Sequence, residues 1–264
     1  MNKKLRIGLF LAALGICCAA VAHAGEKVRA EGRYVSTHLT HLLPFTAVEV
    51  HGDILADIRQ LPGQEVTVSG HANLAELAHV WVEDNTLKID YARPVHVRGK
   101  DTLRVSVFMP DITALTVRNR GQIKVYGPVR TTDIALTADD NGVLDMDSLQ
   151  ADRIRLHARQ HAHLDVEHIQ TAHLEAAQFD KAKIELSGFA ENAQLVNHGS
   201  NDLEADELRT NQTHAAVHGT GDVDVFAVKT LKASAHSKGS INYHGAPVLT
   251  REGNMKKIKP VFED

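Results

Sequence analysis

From about residue 113 onward, apolar and polar residues alternate in short runs, and the runs themselves recur. Taking one aliphatic position as an anchor gives Ile123, Leu144, Leu164, Ile184, Leu203, Val223 and Ile241, spaced 18 to 21 residues apart. Two positions on stand Val125, Met146, Val166, Leu186, Ala205, Val225 and Tyr243. Eight positions back stand Leu115, Leu136, Leu156, Ala176, Leu195, Ala215 and Ala233. Alternation with a period of two marks strands that bury one face. A third apolar contact is expected five residues past the anchor, at Leu149, Ile169, Phe189, Leu208 and Val228. Between the strands, Gly121, Gly142, Ala162, Ala182, Asn201, Gly221 and Gly239 share one turn column.

A unit of two or three short strands cannot bury its apolar face alone, but stacked copies share a continuous interior. The predicted fold is therefore all-β: a right-handed parallel β-helix or β-solenoid with about 20 residues per coil and a less regular N-terminal β cap. An antiparallel β-sandwich competes, because it also strings short strands between turns. Regular repeats are placed at 113–246, and a capping β region at 45–112, where "FTAVEVHGDILADIRQ" and "TLRVSVFMP" alternate as strands and "NLAELAH" fits one helical turn. Residues 25–44 are read as an N-terminal extension. Residues 247–264, with "NMKKIKP", have no repeat partner and are expected to cap the far end or fray.

The first 24 residues change the picture of where the chain works. "MNKK" is a basic start, "IGLFLAALGICCAAVA" is apolar but short for a membrane span, and "AHA" at 22–24 fits a small-x-small cleavage site. This predicts a signal peptide cut after Ala24, export to the periplasm, secretion or the cell surface, and no transmembrane segment afterwards. Both cysteines, Cys17 and Cys18, leave with it, so the mature chain folds without disulfides. The whole chain has 29 Lys and Arg against 33 Asp and Glu, and cleavage removes Lys3, Lys4 and Arg6. An acidic protein lacks the basic face that nucleic acid requires.

Two columns of chemistry-bearing residues emerge from the repeat. Asp145, Asp165, Glu185, Glu204 and Asp224 each follow an anchor and are expected to form an outward acidic ladder that repels internally unless it meets a cation, of which calcium suits hard oxygen donors best, or a basic or hydroxyl-rich partner. His198, His218 and His236 fall five residues before three consecutive anchors, where zinc is the ion they would hold. Calcium and zinc are the cofactor candidates, with copper an alternative at the histidines. No phosphate-binding glycine loop, GxSxG elbow or mature cysteine is present. Trp81 is the only tryptophan and aromatics are 5% of the chain, too few for an evident sugar-stacking platform.

The mature chain from about Phe45 to Gly245 resembles the auto-transporter adhesin head domain, also called the head GIN domain. The resemblance rests on "FTAVEVHGDILADIRQ" followed by "LKIDY", on "VSVFMPDITALTVRNRGQIKV", and on recurring "GQI", "GDV" and "GSI" units. It implies an exported β-solenoid with no established enzymatic activity. The expected function is a non-enzymatic binding or adhesion module of the bacterial cell envelope, with a surface glycan or an envelope protein as partner. The alternatives are a polysaccharide-active lyase or hydrolase and a periplasmic metal-binding protein. Repeat lengths that stay within 18 to 21 residues leave no room for the long loop of a catalytic cleft.

Overall fold

The computed structural model describes residues 26–262. The elements run β1 (Glu26–Arg29), β2 (Tyr34–Leu39), β3 (Ala47–His51), β4 (Ile54–Gln60) and β5 (Glu65–His71), then one helical turn, α1 (Ala72–Ala75). Next come β6 (Ala78–Glu83), β7 (Thr86–Tyr91), β8 (Val95–Arg98), β9 (Leu103–Met109) and β10 (Ala114–Arg118). Long strands that bend round the coil follow: β11 (Gln122–Ala138), β12 (Val143–Ala158), β13 (His163–Gln178), β14 (Lys183–Asn197), β15 (Leu203–Val217) and β16 (Val223–Ala235). The chain closes with β17 (Ile241–His244), β18 (Val248–Gly253) and β19 (Ile258–Pro260).

Seven coils, roughly 20 residues apart, stack in parallel. The anchors meet in the predicted order: Ile123 pairs with Leu144, Leu144 with Leu164, Leu164 with Ile184, Ile184 with Leu203, Leu203 with Val223 and Val223 with Ile241. All are buried in one continuous core. Each such aliphatic side chain contributes about 1.5–3 kcal/mol over its exposed state. The β-solenoid thus displaces the β-sandwich alternative, because β10 to β19 pair only in parallel.

The third apolar contact departs from expectation in two coils. Leu149, Ile169 and Leu208 are buried, but the residue in register between Ile169 and Leu208 is Gly188, and Phe189 faces partly outward beside Gln170 and Arg209. That coil is one residue short, so the ladder shifts register between Val166 and Ile169. Gly188 absorbs the shift at φ +114, where a Cβ would overlap the backbone N and O of Ile169. The still shorter coil of β16 shifts twice and leaves Val228 exposed.

At one corner the interior column turns polar. Gln178 and Asn197 are fully buried, and their amides donate to the turn carbonyls of Asn201 and Asp222 at 2.8 Å. In return the Gln178 carbonyl accepts from the Ile184 N–H, and that of Asn197 from Gly199, each at 2.8 Å. Turn backbone that would otherwise be buried without partners is thereby satisfied.

The N-terminal region joins the solenoid in an order the chain does not follow. β3 lies between β7 and β10, and β4 between β9 and β11, all in parallel. The first of these coils in sequence is therefore the second in space. Beyond it the pairing becomes antiparallel, with β5 on β9, β2 on β5 and β6 on β7. α1 adds the fully buried Leu74 to the core there. At the other end the segment after Pro247 continues the stack, with β18 parallel to β16 and β19 parallel to β17. The sequence shows no repeat pattern there, and the expectation is that it caps the far end or frays. Its backbone nonetheless finds a partner, because an open rung offers a full row of donors and acceptors whatever the side chains. The leader, residues 1–24, lies outside the described residues.

Candidate functional site

Asp145, Asp165, Glu185, Glu204 and Asp224 stand on five successive rungs, each paired with the next. All are half-buried, beside fully buried anchors. The column changes sign at its ends. Lys124 lies between Asp57 and Asp145, while Asn242 and then Lys259 follow Asp224. Rungs about 4.8 Å apart bring like charges close enough to repel. Burial first, then the charges of Glu185 and Glu167, holds the Asp165 carboxyl above its ordinary value. Burial likewise raises Asp224, against the lowering effect of the Asn242 amide, which donates to it at 2.7 Å.

Glu185 is the exception. Lys183 Nζ lies 2.8 Å from Glu185 Oε1 and 3.0 Å from Glu204 Oε1, and His163 Nε2 lies 3.1 Å from Glu185 Oε2. Burial is the strongest single influence on Glu185 and acts upward, but the Lys183 hydrogen bond and charge, with His163, bring its pKa below the ordinary glutamate value. The Glu185 hydrogen bond in turn raises Lys183. The ladder is therefore not purely repulsive at its centre. Comparing like positions between repeats does not reveal this pairing, because the cation sits within the repeat. "KIE" places Lys183 two residues before Glu185 on the same strand face, whereas His163 reaches Glu185 from the neighbouring rung.

Asp165, Glu185 and Glu204, with Glu167, Asp206 and Glu207, line a groove of about 470 Å³. Its acceptor-rich wall suits cations or hydroxyl groups, yet the Lys183 ammonium already bridges Glu185 and Glu204, so a calcium ion there would have to displace it. Among the described residues no group of three or more His, Cys, Asp or Glu is arranged around a metal-sized centre.

The histidine column also forms. His198 and His218 stack at 4.8 Å with planes 16° apart, and His218 and His236 at 6.0 Å and 9°. Phe179 extends the stack below His198 at 4.7 Å and 6°, and His157 leans on Phe179 at 5.0 Å and 43°. Imidazole lone pairs lie in the ring plane, so parallel rings direct them in parallel. Three such rings converge on zinc, at bonds of about 2.0–2.1 Å, only by rotating out of the stack. Burial, then the His218 charge, holds His198 below the ordinary histidine value, and burial followed by Arg159 does the same to His157.

At the N-terminal end the structure assembles polar groups that no spacing rule predicts. Asp53 accepts from the Val97 N–H at 2.9 Å and pairs with Arg120 Nε at 2.8 Å. His51 Nδ1 lies 3.1 Å from Asp90, whose hydrogen bond raises the histidine pKa. These contacts tie the β8 loop and neighbouring turns to the stack.

A family described as "Putative auto-transporter adhesin, head GIN domain" matches residues 44–247. Two solved structures described as putative adhesins share the fold. One, from Parabacteroides distasonis ATCC 8503, has 21% identity and a TM-score of 0.82, covering 89% of this chain and 100% of that one. The other, from Parabacteroides merdae ATCC 43184, has 18% identity and a TM-score of 0.80, covering 90% and 100%. A structure from P. distasonis described as a putative lipid binding protein has 16% identity and a TM-score of 0.80, again covering 90% and 100%. No protein with a curated description matches the chain.

Proposed function

The chain belongs to the auto-transporter adhesin head GIN domain family, and from that premise we propose that it is an exported, non-enzymatic β-solenoid that serves as a binding or adhesion module of the bacterial cell envelope. The observation that carries this reading is the uninterrupted stack of β10 to β19. Its rungs display columns of side chains in register, and the corners between them are short turns such as 139–142 and 159–162. A repeated outer face binds an extended partner by many weak contacts, a surface glycan or another envelope protein, whereas catalysis needs convergent groups in a cleft. A lipid-binding reading finds less support, since the described interior is filled by one aliphatic core.

The leader-like start and the absence, among the described residues, of a helix long and apolar enough to cross a membrane fit the periplasm or the cell surface. The test is a sedimentation assay of labelled protein with intact bacterial envelopes, run beside a reducing-end assay on a polysaccharide panel. Saturable retention with no release of reducing ends is the expected result. Steady release of reducing ends would replace the adhesive reading with the lyase or hydrolase alternative.

A further inference from the structure

The C-terminal halves of β13, β14, β15 and β16, with β18, form a second broad face. Asn192, Gln212 and Thr230 stand on three successive rungs of it, and Gln194 and His214 lie beside the first two, two residues along the same strands. They line a groove of about 420 Å³ over the strand backbone, whose inward side chains Leu174 and Leu231 belong to the core. Its chemistry differs from that of the acidic face. Amides, hydroxyls and imidazole supply donors and acceptors together, with no surplus of either charge. Asn192 donates to the Ala172 carbonyl at 3.2 Å, and Lys232 is held by Glu252 at 3.1 Å. By contrast the amides of Gln194 and Gln212, the ring of His214 and the hydroxyl of Thr230 have no hydrogen-bond partner among the described residues, although all four line the groove.

Building on the binding role proposed above, we infer that this groove holds a neutral polysaccharide chain lying along the solenoid axis, one sugar to each rung. The rungs repeat at about 4.8 Å, close to the length of one pyranose unit in an extended chain, so successive sugars meet successive outward pairs, of which Asn192 with Gln194 and Gln212 with His214 are the most alike, next to the Glu175 carboxylate on the first rung. A peptide strand advances about 3.3 Å per residue and drifts out of step within a few rungs. An anionic glycan would need a cationic wall, and Lys232 is already paired. Without an aromatic platform, recognition rests on hydrogen bonds that are individually modest, so affinity must grow with chain length until the groove, five rungs from β13 to β18, is filled.

The experiment is calorimetric titration of the whole purified protein with cello-, manno-, xylo- and chito-oligosaccharides of two to eight units. The Gln194→Ala/Gln212→Ala double variant is compared with a control outside both grooves, Asp111→Asn, at an exposed position. Both glutamines are exposed, and an unchanged melting temperature verifies folding of the variants. At least one series should bind, with affinity rising to about five units and then level. The double variant should weaken it by about tenfold or more, and the control should leave it unchanged. Failure of all four series, or equal binding by the double variant, overturns the inference. Binding of a Thr-Val repeat peptide in place of every oligosaccharide also overturns it, and assigns the groove to a protein partner. Envelopes that still retain the protein in these cases leave the adhesive reading standing, whereas loss of both kinds of binding removes both.

Discussion

Lys183 and Glu185 share one strand face, two residues apart, with Nζ 2.8 Å from Oε1. This pair makes the centre of the acidic column behave differently from its flanks. Replacing Glu185 with Gln removes a compensated carboxylate and leaves Lys183 only Glu204, at 3.0 Å. Because the groups are partly exposed, the expected effect is a loss of a few tenths to about 1 kcal/mol that shrinks in high salt. Urea denaturation at two ionic strengths measures it. A gain in stability would show that repulsion still dominates at Glu185.

Asp224 should respond in the opposite sense. Its pKa is raised in the folded state, so its ionised form opposes folding, and the associated stability is present at acid pH and lost as pH rises through the folded value. Asp224→Asn keeps a polar group beside Asn242 and removes the charge. At neutral pH the variant should gain a few tenths of a kcal/mol, discounted for solvent screening. That gain should vanish below the ordinary aspartate pKa, as followed by melting curves across pH.

For His198 the sign reverses. Its folded-state pKa is lowered, so stability from this source is full above the ordinary histidine value and is lost as pH falls through it toward the lower folded value. His198→Phe continues the ring stack from Phe179 without a titrating group. The acid-side decline of the melting temperature should become shallower in this variant. An identical pH profile would disconnect the stack from acid sensitivity.

Calcium provides a direct check on the acidic groove. With Lys183 bridging Glu185 and Glu204, millimolar calcium should leave the melting temperature unchanged, since only preferential binding to the folded state raises it. Lys183→Gln removes the competing ammonium. A calcium-dependent rise confined to that variant would show that the lysine, rather than the carboxylate geometry, excludes the ion.

Two backbone and core changes test the stack itself. Leu164→Ala empties a fully buried position between Leu144 and Ile184 and should cost about 2–5 kcal/mol. Gly188→Ala places a Cβ against the backbone of Ile169 at a positive φ. It should destabilise by about 1–3 kcal/mol. A neutral outcome in chemical denaturation for either substitution would contradict the register described above.

The regular stack was legible in the sequence because its causes are local and repeated. Period-two alternation orients each strand, and a recurrence of 18 to 21 residues leaves Leu144, Leu164 and Ile184 only one way to share an interior. The same arithmetic placed Asp145 to Asp224 in one column and His198, His218 and His236 in another. What tertiary structure alone decided lies where contacts cross the repeat. β3 enters between β7 and β10 because parallel backbone pairing is indifferent to chain order once the apolar faces match. Gly188 rather than Phe189 meets Ile169 because a coil one residue short must shift its ladder. Lys183 neutralises Glu185 because side chains two residues apart on a strand meet in space. The periodicity determined which residues face inward, and the three-dimensional packing determined which outward neighbours compensate one another.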